Sequence, residues 1–97
     1  MDRMIYLNSL YDIYKELFTD KQREYYESYY FDNLSLAEIA ENCNVSRNAV
    51  FNQLKIIEDK LLELEEKLKL KEKQSKILKI LEKRTNKELY EEVKRMF

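Results

Sequence analysis

Neither glycine nor proline occurs in the 97 residues of this chain. Glycine enters left-handed backbone without steric cost and proline pre-sets many turns, so reversals here fall to Asn, Asp, Ser and Thr. Glycine-rich phosphate loops are excluded, and tight hairpins built on Asn-Gly pairs are disfavoured. Helix is what remains, punctuated wherever capping residues meet apolar periodicity.

The most informative punctuation lies between Ser35 and Val50. Ser35 caps a helix, and Glu38 three residues on closes a capping box. Leu36, Ile39 and Ala40 form its apolar face, with the small Ala40 allowing another helix to cross close by. Asn44 stands where a helix-turn-helix usually carries glycine, and Asn tolerates the left-handed conformation. Val45 is expected to point inward from the turn, and Ser46 to cap a second helix whose core face continues through Val50 and Leu54. That layout is a helix-turn-helix, a motif that offers its second helix to the major groove of DNA.

Upstream, Met4, Leu7, Leu10, Tyr11, Tyr14, Leu17 and Phe18 recur at helical spacing and predict a helix over Asp2–Phe18. Thr19 with Gln22 opens another, reaching about Tyr30 and dense in aromatics (Tyr25, Tyr26, Tyr29, Tyr30, with Phe31 following). Core packing or a dimer contact is the reading preferred for these rings over base stacking, because Glu24 and Glu27 intervene where a stacking platform needs cations. Downstream of the motif, Val50, Leu54, Ile57, Leu61, Leu64 and Leu68 alternate steps of four and three. This predicts a long helix from Ser46 to about Leu70, with its distal seam covered by the N-terminal helix or by a second copy of the chain. The dimer-interface expectation names Ile57, Leu61, Leu64 and Leu68. Lys69–Lys73 reads as a charged hinge or continuing helix. Ile77, Leu78, Ile80 and Leu81 form a further apolar stripe. Thr85 with Glu88 then caps a last helix lined by Leu89, Val93, Met96 and Phe97. The division expected is a domain over 1–70 and a helical C-terminal extension over 71–97.

Charge is unevenly placed. Residues 19–60 carry five positive and eight negative side chains, whereas residues 61–97 carry eleven positive and eight negative. Phosphate neutralisation supplies most nonspecific DNA affinity, so the acidic motif segment opposes DNA binding unless its charges are sorted by face. The chain has one cysteine and no histidine. A disulfide framework, a zinc site, a bound cofactor and catalysis are therefore not expected. Cys43 is read as a small packed thiol, and the lysines between Lys67 and Lys76 as a solvated face. No apolar run approaches membrane length and no secretory leader pattern is present, so the expected location is the cytoplasm.

Asp20-Lys21-Gln22-Arg23, Tyr29-Tyr30, the run from Leu34 to Ala40 and the run from Val45 to Val50 form an ordered set. It resembles the YlxM family of small bacterial helix-turn-helix proteins, from near residue 1 to about Leu70. The motif is also similar to region four of bacterial sigma factors, although a strongly basic recognition helix is lacking here. The resemblance implies an all-α bundle. It also implies a role in regulating or assisting the signal recognition particle pathway, whose genes neighbour those of the family.

With 100° per residue from Ser46, Val50, Leu54 and Ile57 cluster on one side of the second helix. Asn48, Phe51, Asn52 and Lys55 fall opposite, flanked by Arg47. These five are the expected DNA-binding residues: Asn pairs bidentately with adenine, Phe touches a thymine methyl, and Lys serves a phosphate. The function expected is a dimeric helix-turn-helix regulator that binds DNA. The alternative is an accessory that contacts the signal recognition particle GTPase or RNA, with the motif as scaffold.

Overall fold

A computed structural model describes residues 2–84 and 87–96. Six α-helices follow one another, and no strand occurs among the described residues: α1 (Arg3–Tyr14), α2 (Asp20–Tyr30), α3 (Leu36–Cys43), α4 (Arg47–Leu68), α5 (Leu70–Arg84) and α6 (Lys87–Lys94). The protein is an all-α helix-turn-helix chain. The first helix is shorter than its apolar spacing predicts. It gives way at Lys15–Leu17 to a 3-10 turn, which leaves Leu17 exposed and Phe18 buried.

The polar punctuation does what its chemistry dictates. Thr19 with Gln22 and Ser35 with Glu38 form reciprocal capping boxes, and the Ser46 hydroxyl accepts the Ala49 N–H at 3.1 Å. Asn44 sits at φ 56°, ψ 48°, and the Val45 N–H donates to the Ala40 carbonyl at 3.0 Å. This is a Schellman closure achieved without glycine. Asn33 and Lys69 are the other described residues with positive φ. The expected capping residue Thr85 and the expected lining residue Phe97 lie outside the described residues.

The core is organised around α4. Helices α1, α2 and α3 all pack on it. The buried residues are Leu7, Leu10, Tyr11 and Tyr14 of α1, Tyr25 and Tyr26 of α2, Ile39 and Ala40 of α3, and Val50, Leu54, Ile57 and Leu61 of α4, with Phe18 between α1 and α2. Each large side chain taken fully out of water contributes about 1.5–3 kcal/mol before ordering costs. Ile57 and Leu61 are 0% exposed within a single chain, so they have no area left for a second copy. Of the two coverings open to the seam, α1 supplies this one, because a step of three and four residues marks a bundle face as well as a coiled coil. Leu64 is partly buried against the same core, and only Leu68 of the four expected interface residues stays exposed.

Tyrosine fills the space between α1, α2 and α4. Tyr11 stacks on Tyr26 at 4.1 Å between centroids and 16° between planes, and Tyr26 stacks on Tyr30 at 4.5 Å and 29°. Four of these rings reach a polar partner with their hydroxyls. Tyr11 donates to Glu27, Tyr26 to Asn8 Oδ1 at 2.7 Å, Tyr30 to Glu58 Oε2 at 2.8 Å and Tyr14 to Glu65 Oε1 at 2.8 Å. Core packing is thus the role of Tyr25, Tyr26 and Tyr30, whereas Tyr29 and Phe31 stay exposed.

The long helix ends where Lys69 turns left-handed, with φ 53°. The chain then folds back so that α5 leans on α1. Its first-turn N–H groups are claimed by side chains of the core. The Leu70 N–H donates to the Tyr14 hydroxyl at 3.3 Å, and those of Lys71 and Glu72 to the Glu65 carboxylate at 3.1 and 3.2 Å. A carboxylate at a helix N-terminus satisfies orphan donors and complements the helix dipole. Glu65 therefore clamps the base of α5.

Burial first, and then a neighbouring carboxylate, pushes the Tyr11 and Tyr30 phenols well above their ordinary range and raises Tyr14. Burial also raises Tyr26, followed there by the nearby Tyr30 and Glu58. A raised folded pKa means full stability below the unfolded value of about 10 and loss as pH rises past it. Alkaline titration followed by phenolate absorbance and circular dichroism should show these four rings ionising only as the fold is lost, and Tyr30→Phe should make the loss shallower. Glu65→Ala should cost about 1–3 kcal/mol in the local stability of α5. Hydrogen exchange would read this as faster exchange across residues 70–84, with α2 and α3 unchanged.

Candidate nucleic-acid interface

Helix α3 lies across α4, held there by the buried Ile39 and Ala40. The Asn44 turn and the Ser46 cap then fix where α4 begins and which way its first turns face. With Val50, Leu54 and Ile57 committed to the core, the opposite side of α4 is solvent. Arg47, Asn48, Phe51, Asn52 and Lys55 are all exposed there. The structure brings these five together along about 12 Å of helix axis. Phe51 is the telling member, 56% exposed, because a large apolar ring left in water beside polar neighbours is the surface a partner would cover.

Part of the acid of the motif segment is engaged by neighbours. Glu27, itself exposed, accepts from Tyr11, and the largely buried Glu58 accepts from Tyr30 and from Arg3 at 3.1 Å. Between Arg47 and Lys55 the helix carries no acidic residue. Lys55 is paired with Asp59 at 3.3 Å, both side chains 59% exposed; such a pair is weak and readily exchanged for a phosphate. Acid remains on α3. Glu38 is held below the usual carboxylate range by hydrogen bonds from the Ser35 backbone and side chain, so the N-terminus of α3 already has its anion. Glu41 is exposed beside it.

Two features differ from the sequence reading. Val45 does not insert into the core: it is 38% exposed, since the turn is closed by its backbone N–H and needs no apolar anchor. Tyr29 is also exposed. Tyr29 joins Tyr30, Leu36, Phe51, Leu54, Lys55 and Glu58 around a shallow depression of about 190 Å³ between α2 and α4. The signal for this was present in the spacing: at 100° steps the four α2 tyrosines span about 140°, wider than one packing face.

Elsewhere the chemistry is quiet. Cys43 is half-buried with its Sγ 3.6 Å from Glu24 Oε1. Burial, then the Glu24 charge, pushes this thiol up. No group of three metal-ligating side chains is assembled among the described residues. No described helix is long and apolar enough to cross a membrane.

Residues 1–96 match the family model UPF0122, described as "Putative helix-turn-helix protein, YlxM / p13 like". A UPF0122 protein of Halalkalibacterium halodurans is 45% identical over 91 residues, covering 91% of this chain and 84% of its own. A UPF0122 protein of Oceanobacillus iheyensis is 41% identical over 100 residues, covering 99% and 95%. A probable UPF0122 protein of Mycoplasma mycoides is 41% identical over 83 residues, covering 86% and 74%. The α3–turn–α4 geometry and this likeness along nearly the whole length agree: the chain belongs to the UPF0122 family of YlxM/p13-like helix-turn-helix proteins.

Proposed function

We propose that this protein is a regulator that binds duplex DNA through the solvent face of α4. The observation that carries the reading is the set Arg47, Asn48, Phe51, Asn52 and Lys55, exposed side by side on the second helix of the motif with no acid among them. Asn48 and Asn52 are one turn apart and suit bidentate contacts to adenine, while Phe51 between them suits a thymine methyl. Arg47 and Lys55 flank the group and suit phosphates. A two-copy protein, presenting two such faces to two half-sites, belongs to the same reading.

A second reading rests on the depression around Tyr29, Leu36 and Phe51 together with the acidic residues of α2 and α3. These suit a protein contact, in which the motif is scaffold for an accessory of the signal recognition particle, touching its GTPase or its RNA. Salt separates duplex binding from a contact to the GTPase. Binding through phosphates falls steeply with ionic strength, whereas an apolar contact does not.

The direct experiment is crosslinking in cells with sequencing of all recovered DNA and RNA. A narrow set of duplex sites, lost in Asn48→Ala/Asn52→Ala with the helical content intact, is the expected outcome. In vitro, each lost bidentate contact should cost about 1–3 kcal/mol of discrimination. Arg47→Ala/Lys55→Ala should instead weaken all sequences alike and lower the salt slope by roughly two. Retained sequence preference in the double asparagine variant would refute the assignment, and enrichment of the particle's RNA alone would favour the second reading.

A further inference from the structure

The face of Asn48 and Asn52 has little positive charge of its own. Its cations are Arg47 and Lys55, and Lys55 already shares its charge with Asp59. Helix α3 beside it brings Glu38 and Glu41 without a cation. Yet phosphate neutralisation supplies essentially all of the sequence-independent affinity of a DNA-binding protein. The cations of this chain stand elsewhere: α5 holds six positive and two negative side chains in 15 residues. They are sorted by face. At 100° per residue, Lys76, Lys79 and Lys83 fall within about 60° of one another, along about 10 Å of helix axis. That side is turned away from Leu70, Gln74 and Ile77, which line the groove against α1. The part-buried Leu78 and Leu81 also lie off it, and all three lysines are exposed.

We propose that this lysine stripe of α5 is a second contact to duplex DNA, holding the phosphate backbone while α4 reads the bases. The proposal rests on the reading of α4 above and supplies what that face lacks, affinity independent of sequence. Lys79 and Lys83 form no ion pair with a described residue, and Lys76 meets Glu72 at 2.9 Å with side chains 70% and 48% exposed. A pair so open to water is weak and gives way to a phosphate. The other acid of α5, Glu82, falls at least about 60° from the stripe. Glu65 and Tyr14 hold the first turn of α5, so the stripe is presented in a set orientation. A duplex carries one charge per about 1.7 Å of its axis. Lysines, as point charges on flexible stems, therefore meet phosphates in any register and add affinity without adding sequence preference.

Titration of a mixed-sequence DNA duplex with the full chain, at salt from roughly 50 to 200 mM, tests the proposal. Lys76→Gln/Lys79→Gln/Lys83→Gln should lower the slope of log affinity against log salt by about two to three. Its preference for sites recovered by crosslinking over the mixed sequence should stay as in the wild type. Lys76→Arg/Lys79→Arg/Lys83→Arg should keep the slope. Lys15→Gln/Lys21→Gln/Lys60→Gln removes equal charge from other surfaces and should keep it too, with circular dichroism checking the helices of each variant. The two surfaces fail separately. Sequence preference with a slope indifferent to the α5 glutamine variant overturns this proposal alone. Unselective binding that is lost in that variant supports the stripe and sinks the reading of α4. A wild type that binds no duplex at the lowest salt, an equal loss in both glutamine variants, or a lysine-dependent affinity for duplex RNA and not for DNA overturns the proposal.

Discussion

The stripe Val50, Leu54, Ile57 and Leu61 is the surface on which α1, α2 and α3 all rest. It decides two things at once. Because it is filled from within by Leu7, Leu10, Tyr11 and Tyr14 of α1, α4 is held rigidly along most of its length. Because it occupies one side of α4, the opposite side of the first turns is bare, and that side carries Arg47, Asn48, Phe51, Asn52 and Lys55. The exposed set thus sits on a well-packed helix rather than on a loop, and its geometry is fixed by the core beneath it.

Tyrosine makes this core possible in a chain so rich in charge. A phenol buries a large apolar ring and still delivers a donor to the boundary. Here those donors meet the carboxylates of Glu27, Glu58 and Glu65 at the edge of the core. On α4 this engages Glu58 and Glu65, while Asp59 stays exposed and is paired with Lys55. Composition alone made the motif segment look hostile to phosphate. Placement reduces that hostility on α4 and leaves it on α3, at Glu38 and Glu41.

Features written in nearest neighbours were legible in the sequence. Thr19, Ser35 and Ser46 each cap within three residues, and Asn44 takes the left-handed position that a chain without glycine must give to something. The five-residue face followed from the same local arithmetic, because a buried Val50 and Leu54 force their opposite side outward. Contacts between distant residues were not legible. A stripe stepping by three and four is identical whether α1 or a second chain fills it, so the fate of Ile57 and Leu61 needed coordinates. The reversal at Lys69 has no local signature, since lysine disfavours positive φ by about 1–2 kcal/mol. It is held by Glu65 and Tyr14, the latter 56 positions from the N–H it accepts.

The pivot at Lys69 stands far from the Asn48 face. Helix α4 has 22 residues, about 33 Å of axis, with Asn48 and Asn52 at its first turns and the Glu65 clamp at its last. The stripe from Val50 to Leu61 between them is packed into the bundle, so the placement of α5 and the placement of the first turns of α4 are set by different contacts. The Glu65 side chain is for this reason the place where a single substitution would loosen α5 while leaving the exposed face of Asn48 and Asn52 as it is.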